Sequence, residues 1–139
     1  MMPEGLATHR SRFDAAETMR RLEAAVTKRG MSILARIDHA AAASEAGMEL
    51  RPTAVLIFGN PRAGTPLMQA VQTLGIDLPL RALVWQDDGG TTWLAYNEPR
   101  WLAARHGIPA GEGGVLAAMT GALTAVAREA TGEGAGSAP

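Results

Sequence analysis

Between Asp14 and Gly30 the apolar positions recur with the period of a helix: Ala15, Met19, Leu22 and Val26 form one stripe. Asp14 stands at the N-cap with Glu17 three residues on, the spacing of a capping box. Lys28 and Arg29 occupy the last turn, where they favour the negative end of the helix dipole, and Gly30 stops it. Before this helix, Leu6 to Phe13 is short and polar and fits an edge strand. After it, Met31 to His39 alternates as a strand, with Met31, Ile33, Ala35 and Ile37 on one face and Ser32, Leu34, Arg36 and Asp38 on the other. Ala40 to Ala46 is alanine-rich and helix-prone, and Gly47 ends it. Pro52 then leads into Thr53 to Phe58, a short run without alternation, which predicts a strand covered on both faces in the middle of a sheet.

A polar turn, Gly59 to Gly64, follows that strand. Thr65 suits an N-cap and Pro66 a first helical residue, so the pattern predicts a helix beginning there, with Leu67, Val71 and Leu74 on its buried side and Gly75 at its end. Ile76 to Pro79 reads as a connector. Leu80 to Gln86 and Thr91 to Tyr96, on either side of Asp87-Asp-Gly-Gly90, read as a hairpin with apolar residues on both faces near its middle. Asn97 or Glu98 caps a short helix starting at Pro99 and ending at Gly107. Val115, Met119, Ala122, Leu123 and Val126 mark a last amphipathic helix at about 112–131. Residues 132–139 are small and polar, and a disordered tail is expected there. Strands and helices do not alternate strictly. The order β-α-β-β-α-β-β plus a C-terminal helix favours an α+β two-layer sandwich, with helices packed on a mostly antiparallel sheet of about four to five strands, as a single domain over 1–131.

Composition narrows the function classes. The chain has 139 residues, a net charge of −1 and interspersed acids and bases, so no basic patch argues for nucleic acid. It has no cysteine, which removes disulfides, thiolate metal sites and a cysteine nucleophile. No apolar run reaches the roughly 20 residues of a membrane span, and the N-terminal stretch lacks the apolar core of a signal peptide. A cytoplasmic protein without membrane contact is the expectation.

The candidate chemistry centres on Gly59-Asn-Pro-Arg-Ala-Gly-Thr-Pro66. Its glycine spacing resembles a phosphate-binding loop, but Thr65 stands in place of the lysine and Pro66 in place of the magnesium-binding hydroxyl. A weaker anion site could use Arg62 and the helix N-terminus; against it stands the reading in which the glycines, Asn60 and Pro61 only shape a tight turn. Asp77 and Arg81 could pair to fix the connector, or Arg81 could join Arg62 on a carboxylate or phosphate. His39 at a strand end is a candidate acid/base, with a structural hydrogen bond as the plainer alternative and helix capping as the plainer role of Asp38. His9, His39 and His106 are far apart in the chain, so no metal site and no cofactor are expected. Trp85, Trp93 and Tyr96 on the hairpin are either core or a hydrophobic dimer face.

Ile37-Asp-His-Ala40, Arg51-Pro-Thr53, Ile57-Phe-Gly-Asn-Pro61 and Gly64-Thr-Pro-Leu-Met68, followed in order by Asp77-Leu-Pro-Leu-Arg81 and Tyr96-Asn-Glu-Pro99, resemble the domain of unknown function 302 family over roughly residues 6–108. The resemblance implies a compact α+β bacterial or archaeal domain that forms a homodimer, and carries over no catalytic residue. The expected function is a homodimeric ligand-binding or accessory module with a small anionic ligand at Asn60, Arg62, Thr65 and Arg81. The alternatives are an enzyme for a small anionic substrate with His39 as acid/base, and a structural partner of another protein.

Overall fold

The computed structural model describes residues 2–109 and 114–133. Strands β1 (Leu6–Ser11), β2 (Ser32–Asp38), β3 (Thr53–Gly59), β4 (Leu80–Gln86) and β5 (Thr92–Asn97) form one sheet in the order β1-β5-β4-β3-β2. Every neighbouring pair is antiparallel. Helices α1 (Ala15–Lys28), α2 (His39–Glu45), α3 (Pro61–Ala70), α4 (Pro99–Arg105) and α5 (Gly114–Thr131) punctuate the strands, and a 3-10 turn spans Gln72–Ile76. The fold is thus the expected α+β sandwich, with the C-terminal helix packed on the sheet.

Helices α1 and α5 pack against each other and lie on one face of the sheet. Leu22 and Val26 of α1, and Leu123, Val126 and Ala127 of α5, are at most 1% exposed. They meet Leu56 and Phe58 of β3, Val84 of β4 and Leu94 of β5, each also at most 1% exposed. Asp14 caps α1 as expected, accepting the Glu17 amide at Oδ1 at 2.8 Å, while the Glu17 carboxylate pairs with Arg20 and Arg21 rather than closing a capping box. Buried hydroxyls then tie the layers together. Thr18 Oγ1 lies 2.6 Å from Ser11 Oγ and donates to the Asp14 carbonyl at 2.8 Å, while the Arg12 amide donates to the Thr131 carbonyl at 2.9 Å. Gly5 has a φ of 79°, and a Cβ there would collide with the Trp101 ring.

Three expectations are corrected. Strand β3 is flanked by β2 and β4, yet only its Leu56 and Phe58 are buried, and Val55 and Ile57 on the other face are half-exposed. The centre of the sheet is β4. An uninterrupted apolar run here marks a strand with one face in the core and the other uncovered by α1 and α5. Strand β2 does not alternate throughout, because its register shifts between Ile33 and Ala35. Ile33 pairs with Phe58, whereas Ala35 and Ile37 pair with Ile57 and Val55, so Ile33 lies on the face opposite to Ala35 and Ile37. Helix α3 begins at Pro61 with Asn60 as its cap, four residues before the Thr65-Pro66 pair. The expected tail at 132–139 falls outside the described residues from 134 onward. Gly132 and Glu133 are ordered, and Glu133 lies 3.3 Å from His9 Nδ1.

Leu22→Ala should cost about 2–5 kcal/mol of unfolding free energy through the cavity it leaves. Asp14→Ala should cost about 1 kcal/mol through the lost cap. Urea denaturation followed by circular dichroism reads both, and an unchanged midpoint for Leu22→Ala would contradict the packing of α1 on the sheet.

Candidate functional site

The end of β3 and the start of β2 lie side by side, because Ser32 pairs with Gly59. Arg29 lies three residues before Ser32, and Asn60 follows Gly59 directly. Arg29, Ser32, Asn60 and Thr65 line one cavity of about 830 Å³. Its remaining walls are almost wholly apolar. Met31 and Leu34 come from the β2 side, Met68 from α3, Leu78 and Leu80 from the approach to β4, and Val115 and Met119 from α5. The volume lies inside the roughly 300–1,000 Å³ range of small-molecule sites, and apolar walls with a few polar groups are their usual composition.

The strand–helix junction itself is not an anion cradle. Asn60 Oδ1 accepts the Arg62 amide at 2.9 Å, and the Asn60 carbonyl accepts the amides of Ala63 and Gly64 at 2.9 and 3.2 Å. The first amides of α3 are therefore spent on the cap, which leaves none of those three for a phosphate or carboxylate. With Asn60 capping and Pro61 in the first turn, no loop remains between Gly59 and Gly64. Thr65 and Pro66, expected to start the helix, lie inside it. An Asn-Pro pair and a Thr-Pro pair carry the same start signal, and the earlier one prevails.

The other sequence candidates do not converge. His39 is the exposed first residue of α2, where Asp38 Oδ1 accepts the Ala41 amide at 2.9 Å as the N-cap. The register puts Asp38 opposite Ala54, at the far end of β3 from Gly59, a separation of roughly 17 Å at the usual rise per residue. Arg81 pairs with Ile57, beside the buried Leu80, and so occupies the sheet face away from α1 and α5. Asn60 and Thr65 reach the cavity, and neither Arg62, Arg81 nor His39 is among its lining residues. The arrangement of His39 with Asn60, Arg62 and Arg81 on one substrate is corrected accordingly.

Asp77 does not pair with Arg81. Arg105 Nη1 donates to both of its oxygens, at 2.9 and 2.8 Å, and His106 Nε2 donates to Oδ2 at 2.6 Å. In the neutral tautomer with the proton on Nε2, His106 Nδ1 accepts from the Thr73 hydroxyl, 2.9 Å away. The order hydroxyl–imidazole–carboxylate has the polarity of a nucleophile–base relay. However, Arg105 also engages the carboxylate, and neither Thr73 nor His106 lines the cavity. The cluster binds the 3-10 turn to the end of α4. Sequence reasoning missed it because His106 lies 29 residues beyond Asp77 and no periodicity links them. Tyr96 also separates from the two tryptophans. It is buried on the helix side, stacked on His9 at 5.7 Å and within 3.3 Å of Thr124 Oγ1. Trp85 and Trp93 stack on each other at 6.4 Å on the uncovered face, and Trp93 Nε1 donates to Asp87 at 2.8 Å.

With this geometry in view, the profile described as "Domain of unknown function DUF302" matches residues 7–126. The chain belongs to this family. The DUF302 match takes in most of α5, beyond the stretch near Ile108 where the resemblance was read. The crystal structure titled as an uncharacterized conserved DUF302 protein from Bacillus stearothermophilus shares the fold, with a TM-score of 0.81 at 22% identity, covering 92% of this chain and 99% of that one. Proteins named fluoride-specific ion channel FluC 1, from Brucella suis and Brucella abortus, are each 44% identical to this chain over 133 residues. The match covers 96% of this chain but 52% and 49% of theirs, so the chain spans about half the length of the curated relatives it matches. Among the described residues of this DUF302 domain, no helix is long and apolar enough to cross a membrane.

Burial alone would raise the Asp77 carboxyl, but the hydrogen bond from His106 and the charge and hydrogen bond of Arg105 outweigh it and hold the group below its ordinary value of 3.8. A carboxyl depressed in the folded state contributes stability that is complete above its unfolded value and is lost as pH falls through the folded one. Asp77→Ala should therefore lower the melting temperature by roughly 3–8 °C at pH 7. The gap to the wild type should close as pH falls below about 4. Thermal unfolding of both proteins between pH 3 and pH 7 measures this; a gap constant with pH would show that the carboxylate charge is immaterial.

Proposed function

We propose that this DUF302 domain is a small-ligand-binding module that functions as a homodimer, and that its ligand site is the cavity beside the Gly59–Pro66 segment. The observation that carries this reading is the cavity itself, with apolar walls drawn from β2, α3, the approach to β4 and α5 and only Arg29, Ser32, Asn60 and Thr65 as polar lining among the described residues. No complete catalytic constellation accompanies it among the described residues, and a binding role requires none. The site takes its ligand largely through apolar contact, which revises the expectation of a mainly ionic pocket at the turn.

The dimer part of the reading rests on the uncovered sheet face. Ile37, Val55, Ile57, Leu83 and Trp85 share that face with Trp93, and Ile37 is 42% exposed. This largely apolar surface, interrupted by Arg81 beside Ile57, suits a second copy of the chain. Leu83→Glu would put a charge at its centre without touching the α1–α5 core. Size-exclusion chromatography with light scattering should give a dimer for the wild type and a monomer of unchanged circular dichroism for the variant. A wild-type monomer at micromolar concentration would refute the dimer.

A second reading is favoured by the relatives' length. Their names describe fluoride channels, and this chain corresponds to about half of them. In this reading the DUF302 part is an accessory domain to a membrane protein and takes no part in conduction. The cavity's apolar walls are unsuited to a small, strongly hydrated anion such as fluoride.

Native mass spectrometry of the protein as purified, with organic extraction of anything retained, tests the ligand-binding reading directly. A retained small molecule, lost when Ala118→Trp fills the cavity, is the expected result. Retention that survives this substitution would place the site elsewhere.

A further inference from the structure

Among the described residues, the formal charge lining the cavity has one sign: Arg29 is the only charged one lining it and no carboxylate does. Among the described residues Arg29 also forms no ion pair, whereas the nearby Lys28 and Arg36 are engaged by Glu129 and Glu23. Ser32 and Asn60 sit with Arg29 at the β2–β3 corner, brought there by the Ser32–Gly59 register. Asn60 uses its side-chain oxygen for the α3 cap, and its amide nitrogen makes no hydrogen bond among the described residues. This corner therefore offers one cation and neutral donors.

The rest of the cavity offers hydrocarbon and thioether. Met31 just before β2, Met68 of α3 and Met119 of α5 line it, together with Leu34, Leu78 and Val115. Methionine is flexible and polarisable, and methionine-rich walls adapt to unbranched or variable apolar shapes. Among the described residues no aromatic side chain lines the cavity to stack on a base, and the first amides of α3 are consumed by their cap. A nucleotide or a polyphosphate is thus poorly matched, and so is a cationic amphiphile.

We infer that the ligand is a monoanionic amphiphile, a carboxylate on an extended aliphatic body, with its charge at Arg29 and its chain along the methionine-lined wall. This rests on the ligand-binding reading above and names the chemistry of that same site. Arg29 is exposed at the C-cap of α1, outside the core, so its replacement leaves the fold intact. A guanidinium hydrogen bond to a carboxylate is strong enough that its loss weakens binding by roughly 10- to 100-fold.

Isothermal titration with decanoate, decanol and decyltrimethylammonium as probes, on the full chain, tests the inference. Decanoate should bind one per chain, decanol at least about tenfold more weakly and the ammonium least of all. Arg29→Gln should bring decanoate down to the affinity of decanol and leave decanol unchanged. Ala118→Trp, at an exposed position of α5 that also lines the cavity, should abolish both, with its melting curve showing that it is folded. Equal binding of decanoate and decanol, insensitive to Arg29→Gln, would overturn the anionic class and leave the cavity as a site for neutral apolar ligands. Binding of no probe, or binding that survives Ala118→Trp, would overturn the inference; only the second, with retained metabolite unaffected by the same substitution, would overturn the cavity reading as well.

Discussion

The packing of α1 and α5 on a single face of a five-stranded sheet governs most of what is distinctive in this domain. Two helices side by side cover Leu56, Phe58, Val84 and Leu94 and bring Leu22, Val126 and Ala127 against them. That one contact supplies the dry core, and the buried Ser11–Thr18 pair and the Arg12–Thr131 bond lock the helical layer to the edge strand β1. The cavity lies beside the end of β3, between α3, the Leu78–Leu80 approach and the first turns of α5. Leaving the opposite face bare of α1 and α5 also puts Val55, Leu83 and Trp85 on an outer surface instead of a second core. The ligand cavity and the apolar outer face are thus two results of one asymmetric arrangement.

Local signals made much of the fold legible. The Asp14 cap, Gly30, Gly47 and the Asp87–Gly90 turn each fall where chain chemistry places them, and each of these three glycines sits at positive φ. Two features escaped for identifiable reasons. Asn60-Pro61 and Thr65-Pro66 are equivalent helix-start signals, and the chain takes the earlier one, with Asn60 as the cap. The alternation of Met31 to Asp38 assumes a regular ladder, and one additional residue reverses the facing of everything beyond it.

The candidate site was far less legible. Asn60 and Thr65 were singled out from their local motif and do reach the cavity, but the cavity's character comes from residues remote in sequence. Met31, Met68, Leu78 and Met119 look like ordinary core positions until the sheet register and α5 gather them. Arg29 reads as a dipole-complementing residue in a last helical turn, and nothing in its neighbourhood marks it as the cavity's sole charge among the described residues. His39 and Arg81, by contrast, are chemically suggestive in the sequence and are carried to other parts of the sheet. Convergence is a property of topology, and residue type alone is a poor guide to it.

The register shift in β2 has a consequence for how this chain avoids its own copies in the wrong geometry. β2 is an outer strand, and its exposed Ile33, Leu34 and Ile37 would make a flat, sticky template for strand addition and fibrillar stacking. The shift between Ile33 and Ala35 interrupts the regular spacing of outward-facing amides and carbonyls halfway along that edge. Leu34, the residue at the interruption, is the same one that contributes to the cavity wall. A single irregularity therefore shapes the site and spoils the edge as a seed for aggregation.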